Sequence, residues 1–156
     1  MELKRVVVTG IGAVSPLGNS AAETWQKLLD GVSGAAPITH FDATEFKTQF
    51  ACELKGFKAE DFIDRKEARK MDPYCHYAMA AASMAMDDSA IDLESIDKNR
   101  VGVVFGVGIG GMKTFEDEIT NYALHKDTLG PKFNPFFVPK MIADICAGQI
   151  SIKYGF

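Results

Sequence analysis

The sequence is poor in the residues that build metal sites and disulfide frameworks. It has three cysteines, Cys52, Cys75 and Cys146, and three histidines, His40, His76 and His125. An odd cysteine count without ligand spacing indicates neither a disulfide scaffold nor a zinc site, and it fits a reducing compartment. Long apolar runs are missing too: Val6-Val7-Val8, after Lys4-Arg5, falls far short of a signal-peptide core or of the ~20 apolar residues of a membrane span. The chain is therefore read as cytoplasmic, without membrane contact. Positive charge is short as well, with 17 Lys and Arg against 21 Asp and Glu, a formal net charge of -4. No global field can hold a nucleic acid by counterion release, so any basic docking site must be local. The absence of a Gly-Lys-Ser/Thr sequence excludes a P-loop.

What is present is an ordinary globular composition, 47% hydrophobic and 24% charged over 156 residues, enough for one domain with a sizeable core. Lys4 to Thr9 reads as a strand buried on both faces, closed by Gly10-Ile11-Gly12. Ser20 and Glu23 predict a capping box opening a helix with Trp25, Leu28 and Leu29 on one face and a stop at Gly31. Residues 32–47 read as loop and 48–54 as a second strand, with Phe50 and Cys52 on one side. Asp72-Pro73 predicts the start of a long helix, whose alanines imply close packing. A third strand is expected over 101–107, a glycine turn over 108–111 and an acidic surface helix over 113–126. Pro131 to Pro139 reads as a constrained, partly buried connection. A last helix runs from Val138 through Met141, Ile145 and Ile152 to Gly155. Strands alternating with helices predict an α/β fold with a mostly parallel or mixed sheet.

Gly106-Val107-Gly108-Ile109-Gly110-Gly111 satisfies G-x-G-x-x-G, so a nucleotide-binding domain is one reading. The acidic residue expected on a following strand is missing, which favours close backbone approach beneath a buried chain. Cys75 and His76 are consecutive on a helix and point about 100° apart, so they do not form a nucleophile and base pair. Cys146, among Ile145, Ala147 and Ile150, reads as a small buried hydrophobe. Arg65, Lys66, Arg69 and Lys70 gather four positive charges on one side of a turn. Either this is an anion site, or Asp64 and Glu67 compensate a solvated helix end.

Four stretches in order carry a resemblance: Val6 to Asn19 (VVVTGIGAVSPLGN), Arg65 to Asp72 (RKEARKMD), Gly108-Ile-Gly-Gly111, and Asn134-Pro-Phe-Phe-Val-Pro139. Together they resemble the N-terminal part of the β-ketoacyl-acyl carrier protein synthase II family of condensing enzymes, and the likeness runs over essentially all of residues 1–156. The resemblance implies a thiolase-like fold of two similar α/β halves with layered helices and a mixed sheet, and a homodimer. The chain would be most of the first half. It also implies fatty acid elongation: acyl transfer from a carrier phosphopantetheine to a cysteine, decarboxylation of malonyl-carrier protein, then Claisen condensation. No dissociable cofactor or metal is implied. The family's nucleophilic cysteine is expected beyond Phe156, so no catalytic residue is assigned here and the chain alone is expected to be inactive. By position, Ile109 resembles the residue gating the acyl pocket, with Gly108 and Gly110 admitting an alkyl chain. Phe137 resembles an aromatic reaching the partner subunit's acyl tunnel. Lys66, Arg69 and Lys70 resemble the patch that docks acyl carrier protein. A cysteine-less chain-length partner of a ketosynthase would share this segment.

Overall fold

The first three α-helices start where capping side chains place them. In the computed structural model, which describes residues 3–130 and 132–156, Ser20 Oγ accepts the Glu23 amide at 3.1 Å and opens α1, Ala21–Leu29. Glu23 reaches back to the Asn19 amide at 3.0 Å, one residue earlier than a strict capping box. Asp64 accepts the Lys66 amide at 2.8 Å and opens the single turn α2, Arg65–Ala68. The long helix α3, Pro73–Ser89, follows Asp72, whose carboxylate accepts the Tyr74 amide at 3.2 Å. Then come α4, Met112–Leu129, α5, Phe137–Met141, and α6, Ile145–Tyr154, which ends at left-handed Gly155 as expected.

The chain divides into two compact units. The first comprises the chain up to Lys58 together with Ala80–Ile91. Within it the N-terminal glycines lie directly on α3: a Cβ on Gly10 would stand 2.2 Å from the Ala85 carbonyl oxygen, and one on Gly12 2.0 Å from that of Ala81. Backbone packs on backbone there, which is why α3 carries alanine on this stretch and why neither glycine admits a side chain. The Ile11 amide donates to Asp88 at 2.8 Å beside this contact. The unit's sheet is small: β1, Ala36–Pro37, pairs antiparallel with β2, Phe50–Ala51, so the strand expected over 48–54 contracts to two residues and its partner lies in the segment read as loop.

A further expectation is corrected in this unit. Residues 4–9 have no partner strand among the described residues, and Val6 is 90% exposed, so the run expected to be buried on both faces is bare. The apolar face of α1 is bare as well, with Trp25 62% exposed. Both segments carry the apolar residues of buried elements, and no described residue of the unit covers them.

The second unit comprises Ala59–Met79 and Asp92–Phe156. Its centre is the first part of α3 with Met71, Cys75, Ala78, Met79, Cys146 and Ile150, all buried. The third strand expected over 101–107 is likewise without a partner among the described residues, and Val104 is 97% exposed. The helix expected from Val138 to Gly155 is two helices. The Met141 carbonyl accepts the Gly111 amide at 3.0 Å, the Ile142 carbonyl accepts the Tyr74 hydroxyl at 2.5 Å, and Ile142 turns extended. Two carbonyls drawn towards other elements leave the break between α5 and α6. Pro131, expected to open the connection before α5, lies outside the described residues.

Candidate functional site

The glycine turn and α5 hold each other through their backbones. Gly110 sits at φ +95°, and a Cβ there would stand 2.4 Å from the Met141 carbonyl oxygen; one on Gly111 would stand 2.3 Å from that of Lys140. Gly110 therefore has a packing reason to be glycine, in addition to its left-handed backbone. Gly108 differs, since a Cβ there would meet nothing within 4 Å. Between them Ile109 projects 71% exposed at an apolar cavity of about 320 Å³, together with Met112, Phe115, Met141 and Ile142. Phe137, on α5, lies in a run of rings: its centroid is 6.1 Å from Phe115 and 5.6 Å from Phe133, and Phe133 stacks on Tyr122 at 5.0 Å.

One residue that ties this region together was visible in the sequence only as a helix cap. Asp72 is 4% exposed, and besides the Tyr74 amide its carboxylate accepts the Thr114 amide at 3.1 Å and the Thr114 hydroxyl at 2.6 Å. A buried carboxylate is thus satisfied by the first turns of α3 and α4 at once, where helix dipoles favour negative charge. The arrangement also argues against a nucleotide site at the G-x-G-x-x-G sequence. The turn's Gly111 amide is spent on Met141, and the α4 N-terminus already holds the Asp72 carboxylate where a pyrophosphate would sit.

The basic turn is partly compensated. Lys70 Nζ lies 2.6 Å from Glu67 and 6.0 Å from the Phe136 ring, whereas Lys66, Arg65 and Arg69 are exposed and form no ion pair among the described residues. Asp64 is engaged in capping rather than in neutralising them. Among the described residues no nucleophile is assembled. Cys75 is 0% exposed and burial pushes its thiol up to about 12; burial raises Cys146 as well, and its thiol donates to the Ala143 carbonyl at 3.7 Å. His76 is occupied by the Ala68 carbonyl at 2.8 Å. Cys52 is exposed. His40 lies 3.9 Å from Glu53, and His125 bonds the Asn121 carbonyl at 2.9 Å, partners that sequence order did not reveal.

A family model described as "Beta-ketoacyl synthase, N-terminal domain" matches residues 3–156. The chain is 43% identical over 156 residues to 3-oxoacyl-[acyl-carrier-protein] synthase 2 of Synechocystis sp., covering 99% of this chain and 36% of that protein. Among solved structures it is similar to the ishigamide ketosynthase/chain length factor, with a TM-score of 0.87, 27% identity and coverage of 98% of this chain and 38% of that one. It is also similar to AntDE:AntF, a type II PKS acyl-carrier protein in complex with its ketosynthase bound to the hexaketide, with a TM-score of 0.78, 28% identity and coverage of 99% and 41%. The chain spans little more than a third of the length of these proteins. Its fold is the thiolase-like one, represented by part of a domain that is rich in helix and has a small sheet.

Proposed function

The chain belongs to the β-ketoacyl synthase family, as its N-terminal domain, and from that premise we propose that it forms the acyl-gating and carrier-docking part of an acyltransferase. The reaction is elongation of a fatty acyl chain by decarboxylative Claisen condensation of malonyl-acyl carrier protein with an acyl-enzyme thioester. The observation that carries this reading is Ile109, held at the mouth of an apolar cavity by a turn whose next two residues are clamped to α5. A clamped frame with one exposed aliphatic side chain suits a plug that an alkyl chain displaces, and each methylene buried behind it contributes about 0.8 kcal/mol. Gly108 supplies open space on the approach side.

The remaining roles follow the same reading. Phe137 lies behind Phe115, which lines the pocket, and, in a homodimer, reaches the partner's acyl tunnel. Lys66, Arg69 and Lys70 steer the acidic acyl carrier protein, which brings its own phosphopantetheine, so no dissociable cofactor or metal is required. The acyl-enzyme thioester forms on a cysteine other than Cys52, Cys75 and Cys146: two of these are buried, with their thiols held protonated by burial, and the third is exposed on the surface. The proposed setting is the cytoplasm. A second reading, a chain-length partner without its own nucleophile, draws on the similarity to the ketosynthase/chain length factor structure. The two separate on whether a synthase carrying this segment forms an acyl-thioester that hydroxylamine releases.

Ile109→Phe in such a synthase tests the gate. Short acyl groups should still be elongated, while the longest lose about 1–3 kcal/mol of transition-state binding to overpacking. The measurement is kcat/KM across an acyl-length series, and an equal loss at every length would show Ile109 to be a framework residue.

A further inference from the structure

Both walls of the cavity beside Ile109 are fastened to the same short stretch of chain, Asp72-Pro73-Tyr74, where α3 begins. One wall is the first turn of α4, with Met112 and Phe115; the other is the end of α5 and the break after it, with Met141, Ile142 and Ala143. Asp72 fastens the α4 wall through Thr114, whose amide and hydroxyl it accepts at 3.1 and 2.6 Å. Tyr74 fastens the other wall, its hydroxyl donating to the Ile142 carbonyl at 2.5 Å. Burial raises the Tyr74 phenol, so the group stays protonated and remains a donor at neutral pH.

The two bonds differ in what they displace. Asp72 satisfies a donor at a helix N-terminus, which has no partner within its own helix. Tyr74 instead takes an acceptor that a continuous helix would use. The Ile142 amide still donates to the Val138 carbonyl at 3.1 Å, as within a helix, but Ile142 itself turns extended, at ψ 137°. In an uninterrupted helix its carbonyl would accept the Cys146 amide, four residues on. The hydroxyl of Tyr74 therefore competes with helix formation, and the unwound residues Ile142 and Ala143 are the ones that line the cavity.

We propose that Tyr74 is a specificity-determining positioning residue: by holding the Ile142 carbonyl out of the helix it keeps Ile142 and Ala143 against the cavity and so limits the length of acyl group accepted. The proposal rests on the acyl-gating reading of Ile109 and assigns the opposite wall to a residue that does not itself line the cavity. Asp72 holds the α4 wall, so the distance between the walls is set from one end of α3. Losing the hydroxyl frees the Ile142 carbonyl to accept Cys146, which winds residues 142–144 into helix and draws their side chains back from the cavity. The space gained lies behind Ile109, where the far end of a long alkyl chain would go.

Tyr74→Phe in a synthase carrying this segment tests the assignment, because it removes one oxygen and leaves the ring. The readout is the ratio of kcat/KM for the longest acyl group to that for the shortest, which a general loss of stability does not move. This ratio should rise about tenfold, the lower end of what one methylene is worth in an apolar pocket. Ile142→Ala, which takes side-chain volume off the same wall, should raise it as well, and Ile109→Phe should lower it. Thermal melting establishes that each variant is folded. An unchanged or lower ratio in Tyr74→Phe, an equal loss at every length, or failure of that variant to fold would make Tyr74 a framework residue and overturn the proposal. If Ile109→Phe still lowers the ratio in that case, the gate reading stands without the wall. No change of ratio in any of the three variants would overturn the acyl-gating reading itself.

Discussion

Cys75 shows how a residue that looks reactive in sequence is disarmed by its surroundings. Its thiol is fully buried and is pushed up to about 12, first by burial and then by the nearby Cys146 and Asp72. A reagent such as iodoacetamide at pH 8 should therefore modify Cys52 quickly, and Cys75 and Cys146 only on unfolding. The same shift has a sign in stability. In the unfolded chain the Cys75 thiol loses its proton near its ordinary value of 9.0, while the folded chain retains it to about 12. Between those values the unfolded state binds fewer protons. The contribution is whole below pH 9 and falls as pH rises to 12, by up to about 1.4 kcal/mol per pH unit. Burial raises Tyr74 and Tyr77 in the same direction, so Cys75→Ala should flatten part of the alkaline decline. Urea titrations of both proteins at pH 8 and pH 10 measure this, and parallel declines would mean that Cys75 is not the titrating group.

At the level of elements, the glycine turn makes unlike demands at neighbouring positions. Gly111→Ala drives a methyl against the Lys140 carbonyl and must displace α5, costing about 1–3 kcal/mol or more, whereas Gly108→Ala meets open space and should leave the melting temperature nearly unchanged. Equal melting temperatures for the two variants would show that α5 yields freely. The contrast also marks what the sequence could disclose. The starts of α1 and α3 and the end of α6 were legible because Ser20, Asp72-Pro73 and Gly155 act within one turn of themselves. The break between α5 and α6 was not, because its cause is a bond from Tyr74, 68 positions away from Ile142. Asp72 was legible as a cap, but its hold on Thr114, 42 positions on, was not. Likewise the four cations of the basic turn could be counted in sequence, while the pairing of Lys70 with Glu67 and the arrival of Lys140 at Arg69 required the fold.

Across the whole molecule, the largest departure from expectation is apolar surface left uncovered. Val6, Val7 and Val8 in one segment and Val104 in another carry the β-branched character of sheet interior, yet they are exposed and unpaired among the described residues. Unpaired backbone with such side chains is a template for association. The 156-residue chain should therefore gain weight-average mass with concentration in sedimentation, and Val6→Lys/Val8→Lys should reduce the gain. A monomer at every concentration would show that these segments find cover within the chain. The bare first segment also has a consequence in time. At about 5–20 residues per second, synthesis of 156 residues takes roughly 8–30 s. Residues 4–9 are made before residues 101–107, and once outside the ribosome they have no neighbouring strand to pair with, so of the two bare segments the first waits longer to be covered. Such a segment is a natural stop for a chaperone that recognises short apolar stretches on nascent chains.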